Sequence, residues 1–247
     1  MSDVLSAIKA GIGFLTTVPV GIDMDGVRKL SKHAYLFPFI GAFIGLTVGG
    51  VGLILQRLPT HLCSALIIVA LYCITGLNHL DGLADFGDGL LAYGISEEKI
   101  RVMHDPSVGV GGMFFVIMSL LILFSVITTI GKNILFAILV AEISAKQSML
   151  TATFGKSMHK GLGSMFIENV HRHDFLIGLI FSMSVCWYVL DVSGVVALFS
   201  ALLSALVIVH IANRNFGGVN GDVLGAINEV GRMVALISIG VMTWTLL

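Results

Sequence analysis

The stretch Asn78-His79-Leu80-Asp81-Gly82-Leu83-Ala84-Asp85-Phe86-Gly87-Asp88-Gly89 sets three carboxylates, a carboxamide and an imidazole directly after an unbroken apolar run. Read as a helix continuing from that run, Asn78, Asp81, Asp85 and Asp88 fall at i, i+3, i+7 and i+10 and share one stripe. Asp81 and Asp85 are then about 6 Å apart along the axis, from a rise of ~1.5 Å per residue. Carboxylates that close repel one another, and a hard divalent cation would hold them together. Mg²⁺ takes oxygen ligands and often divides its sphere between one or two carboxylates and substrate phosphates. The simpler reading is a solvated acidic helix end, but Leu80, Leu83, Ala84 and Phe86 make the rest of the stretch apolar.

Other stretches carry chemistry too. Asp105-Pro106-Ser107-Val108-Gly109-Val110-Gly111-Gly112 is a glycine-rich helix start, whose backbone N–H groups suit a phosphate. Gly217, Gly218, Gly221 and Gly225 crowd around Asn220 and Asp222, with Glu229 on the same helical face as Asp222. Those residues form either a polar site or merely the N-cap of the last helix. Glu142 and Lys146 stand at i, i+4 in an apolar stretch, where ionisable residues suggest function. They make an internal ion pair, or Lys146 reaches a phosphate. His171 and His173, in the polar loop Gly155 to Asp174, are suited to a metal, although solvation is the simpler reading.

The elements that must position these groups are membrane helices. The 247 residues are 56% hydrophobic and 12% charged, with a mean hydropathy of +0.99. An all-α, polytopic integral membrane bundle follows, read as a single domain over residues 1–247. Seven spans can be drawn: Ala34 to Gln56, His61 to Leu77, Val108 to Gly131, Asn133 to Phe154, Phe175 to Leu190, Val192 to Asn213 and Leu224 to Leu247. Residues 1 to 16 place Val4, Leu5, Ile8, Ile12 and Leu15 at helical spacing, as an interfacial amphipathic helix would. A polar approach runs from Asp23 to His33, and Tyr93 to Pro106 forms a polar connection. Gly41, Gly45, Gly49, Gly50 and Gly52 give the first span a close-packing face, which also offers a surface for a homo-oligomer.

A net charge of −1 gives no electrostatic case for nucleic acid. Cys63, Cys73 and Cys186 stand apart without metal or disulfide spacing, and the N-terminus has no convincing cleavage signal. With the N-terminus cytoplasmic, inside segments hold Lys9, Arg28, Lys29, Lys32, Lys99, Arg101, Lys156, Lys160, Arg172, Arg214 and Arg232, against only Arg57 and Lys132 outside. The positive-inside rule then places every polar cluster on the cytoplasmic face of a cell membrane. One composite site is expected there, suited to Mg²⁺-assisted attack on a pyrophosphate-linked donor.

Five segments together resemble the cobalamin synthase family, the adenosylcobinamide-GDP ribazoletransferases. They are Phe14 to Pro19, Phe37 to Gly41, Asn78 through Asp88, Met103 to Gly109, and Gly217 to Ala226, in the family's order. The sequence departs from the family pattern at Phe86-Gly87, at His104 in place of lysine, at Pro106, and at Asn220 in place of threonine. The resemblance implies transfer of adenosylcobinamide phosphate from adenosylcobinamide-GDP to the hydroxyl of α-ribazole or its 5′-phosphate, with release of GMP. It further implies Mg²⁺ as cofactor, with Asp81, Asp85 and Asp88 as metal ligands and Asn78 assisting. His79 becomes the candidate base beside Asp81 and Asp85. Asp105, Asn220 and Asp222 complete the polar site, and Lys146, Arg101 or Arg214 hold phosphates. The competing readings are a CDP-alcohol phosphotransferase, an intramembrane prenyltransferase and a cation-coupled transporter.

Overall fold

The computed structural model describes residues 3–158 and 161–245. His159, Lys160, Leu246 and Leu247, which the sequence reading used, lie outside the described residues, as does the side chain of Lys132. The described residues form eleven α-helices and no strand, apart from an isolated bridge between Ser157 and Val219.

Helix α1 (Asp3–Leu15) is where the apolar spacing predicts it, but its buried face is Ala7, Ala10, Gly11 and Leu15, while Val4 and Leu5 are exposed. Small residues let it lie close to α2 (Met24–Lys32), a helix where the sequence suggests only a polar approach. Asp23 caps α2 by accepting from the Gly26 N–H at 2.7 Å.

After a single 3₁₀ turn comes α3 (Phe37–Leu55), and it packs along α8 (Ile134–Met149). A Cβ on Gly41, Gly45 or Gly49 would lie 2.6, 2.6 or 2.8 Å from the backbone of Glu142, Leu139 and Leu135. The glycine face is therefore occupied within the chain, and of its five glycines Gly50 alone meets open space. Helix α8 is central, with Ala137 through Met149 all buried, whereas α7 (Val110–Ile130) buries only six residues, among them Gly111, Ser119, Leu123 and Ile127. Exposed Met113, Phe114, Ile117 and Leu121 give α7 a membrane-facing side.

Helix α4 (Thr60–Thr75) does not continue into the acidic stretch. It bends by 97° at Gly76-Leu77 into α5 (Asn78–Leu91). The two polar connections hold short helices, α6 (Ser96–Met103) and α9 (Gly161–Asn169). Helix α10 (Arg172–Asn215) is 44 residues long but breaks at Leu190 and Asp191. A Cβ on Gly194 would lie 2.2 Å from the Cys186 carbonyl oxygen, so the chain doubles back there. Phe175 meets Phe154 edge to face, and Asn213 accepts from the Lys156 N–H, bringing both ends of α10 to one place. Helix α11 (Gly221–Thr245) closes the bundle.

Among the described residues five helices are long and apolar enough to cross a membrane, or six with the bent pair as one span. The seven expected spans differ from that count for two reasons. Helix α4 is short and reaches spanning length only together with α5, and the expected fifth and sixth spans are the two arms of α10. The protein is a multi-pass membrane bundle.

Candidate active site

The site begins at Gly76, whose φ of 71° suits glycine and stops α4. Thr17 satisfies the carbonyls left open by that stop, its N–H donating to Ile74 at 2.8 Å and its hydroxyl to Cys73 at 2.7 Å. The bend makes Asn78 the first residue of a new helix. The stripe survives, although the helix does not continue the apolar run.

Asn78 and Asp81 are exposed and Asp85 is half-buried. Among the described residues none of these three side chains has a hydrogen-bond or ion-pair partner. Asp88 differs, because its two oxygens accept from the N–H groups of Gly109 (2.7 Å) and Gly112 (2.8 Å). The anion bound by the glycine-rich start of α7 is thus Asp88 itself, and the phosphate expected there is replaced by a carboxylate of the chain. Glycine is needed because α7 lies against α5: a Cβ on Gly111 would come within 2.8 Å of the Gly87 carbonyl and one on Gly112 within 2.7 Å of the Ala84 carbonyl.

His79 lies about a hundred degrees around the helix from Asn78, away from the acidic stripe. Its Nδ1 is sealed from solvent without a partner, and the nearest charges are Lys146, Arg232 and Glu142. This placement does not fit a base for a solvent-borne hydroxyl.

The second half of the site is the start of α11. Gly82 and Gly225 bring α5 and α11 into backbone contact, and a Cβ on Gly82 would lie 2.9 Å from the Asp222 carbonyl. Asp222 thereby enters electrostatic reach of Asp85 and Asp81. Asn220 caps α11, accepting from the Val223 N–H at 3.0 Å, and its amide donates to Asp222 Oδ2 at 2.9 Å. His104, just past α6, sets Nε2 at 3.5 Å from the same oxygen and 3.3 Å from the Asn220 amide nitrogen. Sequence reasoning marks His104 only as a departure from the family's lysine and gives it no role; its neighbours Met103 and Asp105 carry no signal of the Asp222 contact.

The other expected contacts are dispersed. Asp105 is exposed and turned onto Ser107, accepting from its N–H at 2.9 Å and from its hydroxyl. The Ser107 hydroxyl holds the Asp105 carboxyl below the usual carboxylate range. Arg101 is exposed on α6. Arg214 lines a cavity with Gly94, Glu97 and Lys99, where Lys99 Nζ donates to Asn215 at 2.8 Å.

Lys146 is fully buried and does not reach a phosphate. Its ammonium donates to Glu142 at 3.2 Å and to Asn228 at 2.7 Å. Arg232 donates to Glu142 and, at 2.6 Å, to Glu229. The Asn228 amide donates to Glu229 at 3.0 Å, and Tyr72 donates to it at 2.9 Å. The result is a closed ring of two acids, two bases and an amide with no net charge, which is how ionisable groups persist at such depth. The pairing of Glu142 with Lys146 was legible at i, i+4; Glu229 and Arg232 were not.

Asp81, Asp85, Asp222 and His104 surround a polar region at one end of the bundle. Oxygen donors of this kind match Mg²⁺, and two carboxylates without partners suit an ion whose remaining ligands come from phosphates. Among the described residues no three His, Cys, Asp or Glu side chains converge into a ready metal cage.

Comparison with known proteins bears on this geometry directly. A family model described as cobalamin-5-phosphate synthase matches residues 7–240. The chain is 42% identical to an adenosylcobinamide-GDP ribazoletransferase of Methanosarcina barkeri, over 98% of this chain and 94% of the relative. It is 39% identical to a protein of the same name from Methanococcoides burtonii, over 96% and 92%. No solved structure matches. These relatives give no support to the phosphotransferase, prenyltransferase or transporter readings. With the match spanning α1 to α11 and every segment that builds the polar region, this chain belongs to the cobalamin-5-phosphate synthase family.

Proposed function

We propose that this protein is an adenosylcobinamide-GDP ribazoletransferase. It joins α-ribazole, or its 5′-phosphate, to the adenosylcobinamide phosphate moiety and releases GMP. The observation that carries this reading is the meeting of two unpaired carboxylates, Asp81 and Asp85, with the Asp222 end of α11, in a chain whose relatives bear that name along nearly their whole length. The acceptor hydroxyl attacks the phosphorus next to the cobinamide arm, and the bond to the GMP phosphate breaks.

Asp81 and Asp85, with Asn78 beside them, would hold Mg²⁺, which supplies charge neutralisation for the pyrophosphate when bound. Asp88 stands behind them and fixes α7. Asn220 shapes the start of α11, while Arg101 and Arg214 supply positive charge on the same side of the molecule. The distribution of Lys and Arg supports a cell-membrane orientation with the N-terminus and the site facing the cytoplasm.

The test is GMP release by the lipid-reconstituted protein from adenosylcobinamide-GDP, with and without α-ribazole and with and without Mg²⁺. Release that needs all three components supports the reading. Release without α-ribazole, or none from folded protein, refutes it.

A further inference from the structure

The composition of residues 93–106 marks them as a water-exposed connection, yet the surface where they begin is apolar. Leu91, Tyr93 and Ile95 form the elbow between α5 and α6, and all three side chains are exposed, Tyr93 at 98%. Val108 and Val110 at the start of α7 are exposed too, Val110 at 84%. Depth decides what covers this patch. Helix α7 has 21 residues, so at ~1.5 Å per residue it spans about 31 Å. That length matches the ~30 Å hydrocarbon core of a bilayer. Its first residue, Val110, therefore stands where acyl chains meet headgroups, and there begins the lipid-facing stripe that continues through Met113, Phe114, Ile117 and Leu121.

Helix α5 is fastened at the same depth. Asp88 accepts from the Gly109 N–H at 2.7 Å, and Gly87 lies against Gly111. Because α4 packs on the spanning helices α3 and α7, the 97° bend at Gly76-Leu77 lays α5 along the membrane plane. Leu91 shares the side of α5 that Ala84 and Gly87 press on α7, but it lies one turn further on and projects past the start of α7. Of the acids that follow, Glu98 is folded back to accept from the Ile95 N–H at 3.1 Å, and Glu97 opens onto the cavity with Lys99 and Arg214.

We propose that the α5–α6 elbow is embedded in the bilayer at the level where hydrocarbon meets headgroups. Leu91, Ile95, Val108 and Val110 lie among the upper acyl chains, and the Tyr93 ring lies at the headgroups. Tyrosine suits that level, with an apolar ring and a hydroxyl that stays hydrated. Continuity of the patch with the lipid-facing stripe of α7 selects lipid over a partner protein. The acidic stripe, on the same helix, then opens at the membrane surface, whichever reaction it performs.

The test places a nitroxide on Tyr93→Cys and, separately, on Ile95→Cys, in a protein carrying Cys63→Ala, Cys73→Ala and Cys186→Ala and reconstituted in phosphatidylcholine–phosphatidylglycerol vesicles. Ile117→Cys serves as the lipid reference. Collisions with oxygen, which concentrates among acyl chains, are compared with collisions with a water-soluble nickel chelate. At both elbow sites the oxygen-to-nickel ratio is expected to exceed that of the free label in buffer severalfold and to fall below that at Ile117, which lies deeper. A ratio equal to that of the free label puts the elbow in water and overturns the proposal. Few collisions with either reagent mean that protein covers the elbow, a second copy if the spectra are broadened by spin–spin coupling, and this also overturns it. Should the cysteine-free protein not fold, Tyr93→Trp in the native background reads the same depth: lipid brominated in the upper acyl chain quenches the added emission, or leaves it unchanged and refutes the embedding.

Discussion

Gly82 of α5 and Gly225 of α11 face each other so closely that a Cβ built on either would lie 3.3 Å from the other's Cα. The contact sets the distance between the acidic stripe and Asp222. Gly82→Val and Gly225→Val should each destabilise the protein by about 1–3 kcal/mol. They should also lower kcat more than the stability loss explains, because α11 is pushed away with Asp222. Gly50→Ala serves as the control: nothing lies within 4 Å of that position, and stability should rise by roughly 0.5–1 kcal/mol. Thermal unfolding in detergent, measured beside turnover, reads both.

The stripe divides into two kinds of aspartate. Asp81→Asn and Asp85→Asn should reduce GMP release by at least about 100-fold while the melting temperature stays near that of wild type. Asp88→Ala should do the opposite first, destabilising by about 1–3 kcal/mol for each amide left without an acceptor. An Asp81→Asn protein that turns over normally would remove the carboxylate pair from the mechanism.

The buried ring predicts that charge balance matters more than any one member. Lys146→Met leaves Glu142 with Arg232 alone and one uncompensated negative charge, at a cost of about 3–5 kcal/mol. The double variant Glu142→Gln, Lys146→Met keeps Glu229 paired with Arg232 and should be more stable than Lys146→Met. Arg101→Ala, at an exposed position, should leave the melting temperature unchanged. Equal stability of the single and double Lys146 variants would contradict the ring.

The open arrangement around Asp81 and Asp85 has a consequence for metal removal. Chelation should abolish turnover and Mg²⁺ should restore it. Mg²⁺ alone should barely raise the melting temperature, whereas Mg²⁺ with adenosylcobinamide-GDP should raise it clearly, since phosphates complete the ion's sphere. A large shift from Mg²⁺ alone would argue for a preformed cage.

How much of this was legible beforehand depends on the range of the interaction. The stripe of Asn78, Asp81 and Asp85, the Gly41, Gly45 and Gly49 face, and the two arms of α10 are local periodicities, and each is found where the spacing puts it. The bend at Gly76 was not legible, because one glycine between two apolar runs is compatible with a straight helix. Helices α2, α6 and α9 hide in polar composition, although Asp23 before α2 and Glu97 and Glu98 at the start of α6 are ordinary opening signals. Asp88 with Gly109, Glu142 with Arg232, and His104 with Asp222 join residues 21, 90 and 118 positions apart. Spacing carries no information about such pairs, so Lys146 read equally well as a phosphate ligand, and His79, adjacent in sequence to the carboxylates, read as their base.

The closed ring also bears on how the chain is assembled. Glu142 and Lys146 leave the ribosome long before Asn228, Glu229 and Arg232, and until α11 arrives Glu142 has Lys146 as its only cationic partner. The same late helix brings Asp222 and Asn220 to the acidic stripe. Insertion of α11 is therefore the step at which the membrane core becomes electrically complete and the enzyme becomes competent, so an interrupted chain yields an immature, charge-frustrated bundle for quality control and never a partly active one.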